Sequence, residues 1–222
     1  MGDGGGKGLE DVGAQFLSAL KGDKLGLHAD AEPIPAWKTR ADAAMDRYAE
    51  GDRAAFAELY DALEPRLSAF FLRQVRGAER AKDLVQQTFL QMHQFRGRFV
   101  RGAAVSPWAF AIARNLLIDS RRRAKPEFSV PDDELADAVS DGSTEASVAD
   151  AAQARSDLDR LRQEIDQLSA EQRMLFELVH GGGLSYCEAA SALGVTTNAV
   201  KIRMHRLTAL LREAVARRAS EE

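Results

Sequence analysis

Leu184-SYCEAASALGVTTNAVKIRMHRLTALL-Arg212 decides how the rest of the chain is read. Ser185 and Glu188 stand three apart, the spacing at which each side chain bonds the other's backbone N–H and opens a helix. Ala189, Ala190 and Leu193 continue that helix, Gly194 supplies the turn, and Thr196 or Thr197 can cap a second one. Ala189 and Ala190 are small enough for two helices to cross closely, with Val195, Val200 and Leu207 closing the core behind them. The second helix then turns Thr197, Asn198, Lys201, Arg203 and Arg206 outward, a set of hydroxyl, amide and cationic groups suited to base edges and phosphates in a major groove. A charge run alone is usually a solvated face. Two successive caps, a central glycine and a basic second helix together predict a helix-turn-helix that binds DNA.

Upstream of this segment, Leu158, Leu161, Ile165 and Leu168 recur at helical spacing, Ser169 and Gln172 form another capping box, and Gly181-Gly182-Gly183 ends the helix they open. Earlier still, Asp52 can cap a helix carrying Phe56, Leu59, Leu63, Leu67 and Phe70, with Pro65 as a candidate kink. Residues 78–95 place Leu84, Thr88, Met92 and Phe95 on one stripe. Ser106 and Pro107 read as the N-cap and first-turn proline of a helix from Trp108 to about Arg123. Apolar and polar residues nowhere alternate with period two. The expected fold is therefore all-α: two small helical domains at residues 43–124 and 154–218, joined by a flexible acidic linker at 125–153. Residues 1–42, glycine-rich at first and broken by Pro33 and Pro35, read as a poorly ordered extension with one short candidate helix around residues 12–20.

The whole chain holds 30 basic and 34 acidic residues, which on its face disfavours a nucleic-acid partner. Segments reverse that impression. Residues 43–124 carry 14 Lys and Arg against 9 Asp and Glu, and residues 196–218 carry 6 against 1, while residues 125–152 hold 8 acids and one lysine. Two basic modules thus flank an acidic tether whose charge hides theirs. The lone Cys187 excludes an intramolecular disulfide and a cysteine metal cluster, fits a reducing cytoplasm, and reads as a small buried apolar residue. His28, His93, His180 and His205 lack paired metal-ligand spacing, so no metal and no cofactor is expected. No apolar run is long enough to span a bilayer, and the N-terminus lacks the apolar core of an export signal.

Residues 184–212 look like region 4 of extracytoplasmic-function sigma factors, which reads the minus thirty-five promoter element. Ala81-KDLVQQTFLQMHQ-Phe95 and Trp108-AFAIARNLLIDSRR-Arg123 resemble region 2 of the same family in order and spacing. The resemblance implies a cytoplasmic, non-enzymatic subunit that binds core RNA polymerase through its largest-subunit clamp helices and flap, finds promoter DNA and helps open it, under an anti-sigma factor or other regulator. It implies polymerase contacts at Asp83, Gln86, Gln87, Leu90 and Gln94, of which Asp83, Gln87, Leu90 and Gln94 fall on one stripe by their spacing. It implies that the 97–107 loop and the helix after it hold minus ten DNA as single strand. Arg98, Arg101, Trp108, Arg114, Asn115, Asp119, Arg121 and Arg122 are the expected contacts, with Trp108, Ile112 and Leu116 spaced mainly for core. Phe99 and Phe110 lie among the same arginines. For minus thirty-five DNA it implies Thr197, Asn198, Lys201, Arg203, His205 and Arg206. Lys82 and Gln87 stand where members commonly carry acids, His93 where an aromatic is common, and Ile202 where a small polar residue is frequent. The acidic tether resembles family linkers that thread a basic polymerase channel, and equally fits a plain solubilising spacer.

Two other classes compete. A helix-turn-helix regulator acting without polymerase would bind promoters by itself, whereas a sigma factor needs core polymerase for specific binding. An enzyme acting on nucleic acid would need clustered carboxylates, a phosphate-cradling glycine motif or a nucleophile with a base, and the sequence offers none of these.

Overall fold

Pro35, expected to break structure, is the residue on which the first helix starts: it sits extended at the N-cap, and its missing N–H costs nothing there. The computed structural model describes residues 34–75, 77–124, 161, 163–165 and 167–219, and every regular element among them is helical. The elements are α1 (Ala36–Ala49), α2 (Ala55–Leu72), α3 (Ala78–Phe95), a 3-10 turn (Arg96–Arg98), α4 (Val105–Ala124), α5 (Ala170–Phe176) running into a π-helical turn (Glu177–Gly181), α6 (Tyr186–Leu193) and α7 (Thr197–Ala219). The candidate helix at residues 12–20, the tether at 125–153 and Leu158 lie outside the described residues. Helix α1 begins inside the stretch read as an extension, because Ala41, Ala44 and Met45 are fully buried and supply one wall of the first module.

That module is α1 to α4. Leu59, Leu63, Leu67 and Phe70 of α2 have no exposed surface, as their spacing requires, and each such side chain contributes roughly 1.5–3 kcal/mol by leaving water. Helix α2 continues through Pro65 to Leu72. Against it α3 buries Leu84, Val85, Phe89 and Met92; Thr88 is buried with them, its hydroxyl donating to the Leu84 carbonyl at 2.8 Å so that no polar group is stranded. Phe95, expected on the same stripe, is 39% exposed at the helix end. Asp52 does not cap α2: it accepts from the Ala54 N–H at 3.0 Å in a local turn just ahead of the helix, whose N-cap position is Ala54 without a side-chain cap.

The second module closes as read. Ser169 with Gln172 and Ser185 with Glu188 form both capping boxes, Gly194 takes the left-handed conformation at φ 68°, and Thr196 caps α7 by accepting from the Ala199 N–H at 3.2 Å. Ala189, Ala190, Val200, Met204 and Leu207 are buried between α6 and α7. Cys187 is a correction: it is exposed, because the inward face of α6 is set by Tyr186, Ala189 and Ala190, and position 187 turns to the outside.

The two modules pack on one another and share one apolar core. Gly182 makes that approach possible, since a Cβ there would stand 2.9 Å from both the Leu178 carbonyl oxygen and Cζ of Phe110. Phe110, read beside the DNA arginines, is thereby a fully buried core residue, edge-on to Phe70 at 5.6 Å. Among the described residues, ion pairs cross the junction between Arg73, just after α2, and Glu177, at 2.5 Å, and between Lys38 of α1 and Glu188 of the α6 capping box. Burial pushes the Glu177 carboxyl up, against the pull of Arg73 and Arg173. His180 on the same turn is held down to about 4 by burial, so it stays neutral at physiological pH.

Candidate nucleic-acid interface

Helix α7 divides cleanly. Val200, Met204 and Leu207 point into the module, and Asn198, Lys201, Arg203, His205 and Arg206 are exposed, with Thr197 half-buried beside them at the first turn. Ile202, 45% exposed, lies among the cations, where it offers apolar surface to a thymine methyl instead of a hydrogen bond. The cap at Thr196 leaves the N-terminal turn of α7 at the surface, the end through which a recognition helix meets base edges.

Helix α3 is amphipathic in the same sense. Asp83, Gln86, Gln87, Leu90 and Gln94 are all exposed on the side opposite its buried residues, and Leu90 keeps 55% of its surface accessible within a polar stripe. An accessible leucine ringed by amides suits a partner that binds and releases. His93 forms a hydrogen bond with the Tyr48 hydroxyl, and Tyr48 packs on Phe56 at 5.3 Å, so His93 ties α3 to α1.

The loop from Arg96 to α4 presents Arg98 and Arg101, both exposed; Arg98 lies over the Phe95 ring at 5.3 Å and Arg101 pairs with Glu50. Trp108 is half-buried against Phe99 at 5.3 Å, and Ile112 and Leu116 are buried below it, which agrees with a mainly packing role for the three. Two expectations about this segment are corrected. Ser106 does not cap α4: the helix starts at Val105, whose N–H donates to Asp42 of α1 at 2.7 Å, and the Ser106 hydroxyl is buried without a partner among the described residues. Arg121 does not join the open surface, because it donates to the Gln74 carbonyl oxygen at 3.2 Å and to Gln74 Oε1 at 2.8 Å, and burial with the nearby Arg173 lowers its pKa. Its neighbours diverge from it. Arg122 is exposed, and Arg123 turns back to the Asp119 carbonyl at 3.3 Å. Asn115 and Asp119 are exposed on the same face as Arg122, while Arg114 is half-buried and reaches Asn115 at 3.5 Å.

Sequence reading missed the residues that hold this loop from outside. Asp42 and Asp46 lie in or beside the stretch read as an extension, and only their spacing of four on one helix could have signalled a shared task. Among the described residues no group of His, Cys, Asp or Glu is placed to hold a metal, and no helix is long and apolar enough to cross a membrane.

Comparison with known proteins finds two family matches in chain order, sigma-70 region 2 over residues 59–127 and sigma-70 region 4 over residues 158–210. The ECF RNA polymerase sigma factor SigF of Caulobacter vibrioides is 35% identical over 181 residues, covering 81% of this chain and 96% of that protein. RNA polymerase sigma factor CarQ of Myxococcus xanthus is 32% identical over 172 residues, 76% of this chain and 94% of that one. Among solved structures, the sigma factor RpoE in complex with the anti-sigma factor NepR from Bartonella quintana aligns with TM-score 0.58 at 24% identity, over 72% of this chain and 96% of that one. That last likeness shows a shared fold.

Proposed function

Because this chain belongs to the extracytoplasmic-function sigma factors of RNA polymerase, we propose that its exposed helical faces divide the work of initiation among themselves. The protein is a sigma factor: it binds core RNA polymerase, directs it to promoters and assists DNA opening. In this reading α3 meets polymerase through Asp83, Gln86, Gln87, Leu90 and Gln94. Arg98, Arg101, Trp108, Arg114, Asn115, Asp119 and Arg122 face minus ten DNA, and Thr197, Asn198, Lys201, Arg203, His205 and Arg206 face minus thirty-five DNA. Arg121 joins the minus ten set only if it releases Gln74, which engages it in the packed arrangement. An anti-sigma factor is the regulator this family reading supplies, the cytoplasm is its compartment, and the chain contributes binding rather than covalent chemistry. The observation that carries the reading is the presence on one chain of both basic modules, in the order and over nearly the full length of SigF. A free-standing regulator needs only the second.

The experiment is equilibrium binding to core polymerase. Changing Asp83 and Gln87 together to lysine is expected to weaken core affinity about tenfold or more, since altered charge in an interface opposes docking, while the melting curve stays unchanged because both positions are exposed. Unaltered core affinity would remove α3 from the interface.

A further inference from the structure

The first helix and its C-cap carry acidic residues at a regular spacing of four, and each one ends on the same loop. Asp42 accepts from the Val105 N–H at 2.7 Å, Asp46 accepts from the Gly102 N–H at 3.0 Å, and Glu50 pairs with the Arg101 guanidinium. Residues at this spacing form one row along a helix, so α1 lies beside residues 101–105 as a ladder of acceptors. The first two contacts are the stronger. Asp42 and Asp46 are half-buried and bond backbone amides, and charge-assisted bonds of this kind outlast an exposed ion pair such as Glu50 with Arg101.

The loop needs such help. Gly102 sits at φ 75° in a turn closed by the Ala103 N–H on the Val100 carbonyl oxygen at 3.0 Å, and its own N–H, unused by that turn, is the one Asp46 takes. Val105 is the first residue of α4, where an N–H has no partner within the helix; Asp42 replaces the missing local cap and also places negative charge at the helix N-terminus. That bond ties the first turn of α4, the turn next to Trp108, to α1.

We infer that Asp42 and Asp46 of α1 are positioning residues for minus ten selectivity: without touching DNA, they fix the loop that carries Arg101 and joins the turn bearing Arg98 to the start of α4, where Trp108 stands. The inference rests on the sigma factor reading for its DNA half and on geometry alone for its loop half. Two measurements separate them. The first is amide exchange of Gly102 and Val105 in the full chain, with Leu63 in the core of α2 as the internal reference for global unfolding. The second is transcription by reconstituted holoenzyme from a library randomised at the minus ten element with the minus thirty-five element held constant.

The Asp42→Ala/Asp46→Ala variant is expected to speed exchange at Gly102 and Val105 about tenfold or more relative to Leu63, and to flatten base preference at minus ten while keeping it at minus thirty-five. Asp42→Asn/Asp46→Asn, which retains an acceptor oxygen at each position, is expected to restore both. Should the alanine pair accelerate Leu63 as well, Asp46→Ala alone carries the same comparison. Unchanged exchange, or a minus ten preference that survives loosening of the loop, overturns the inference; so does a fall in preference in the asparagine pair equal to that in the alanine pair. If the wild-type chain supports no core-dependent transcription, the sigma factor reading fails and the selectivity claim falls with it, and the exchange result still decides whether the carboxylates hold the loop.

Discussion

Replacing Lys201 and Arg206 together with alanine is expected to weaken minus thirty-five recognition by the holoenzyme by about 2–6 kcal/mol, roughly 1–3 kcal/mol for each side chain that reads a base. Both are exposed on α7, and the buried residues that shape the helix, Val200, Met204 and Leu207, face the other way. The substitution should therefore leave the module folded. Affinity measured against salt separates the two modes of binding. A cation bound only to phosphate strengthens binding uniformly across sequences, and its removal reduces the salt slope by about one, while removal of a base reader relaxes sequence preference at its own position. Promoter use indistinguishable from wild type would show that α7 is not the reading helix.

Glu177→Ala is expected to destabilise the folded chain by about 3–5 kcal/mol, the cost of leaving a buried guanidinium without its counter-charge. The side chains of Arg73 and Glu177 keep only 13% and 4% of their surface, so water cannot replace the missing partner. The pair is not thereby a net source of stability. Burial raises the Glu177 pKa in spite of Arg73, which means that desolvation outweighs the attraction. Arg73→Met/Glu177→Leu, which removes both charges and retains bulk, should then unfold in denaturant within about 1 kcal/mol of wild type or above it. A single substitution costing under about 1 kcal/mol would mean that the two modules do not rest on this ion pair.

What could be read from the sequence is what is local. The capping boxes at Ser169 and Ser185 and the turn at Gly194 depend on residues within four positions of one another, and all three form as read. The apolar rows of α2 and α3 follow from period alone, and so do the exposed faces set against them. The features that escaped reading are decided across the chain. Ser106 looked like a cap because it precedes a proline, yet Asp42, 63 residues away, satisfies the helix end. Arg121 looked like one of three surface arginines, yet Gln74, 47 residues away, takes it inward. Phe110 belongs to the core because Gly182 lets a second module approach it, a proximity that no periodicity encodes.

At the junction Arg173 stands near Arg121 as a like charge, while Gln74, in the same module as Arg121, holds that arginine inward whether or not the modules are packed together.

Initiation by reconstituted holoenzyme tests the central claim most directly. With core polymerase and a promoter library, the full chain is expected to direct transcription from a defined subset of sequences specified at both elements, and core polymerase or the chain alone is expected to direct none. Tight, sequence-specific promoter binding by the chain alone, with no transcription on addition of core, would contradict the account.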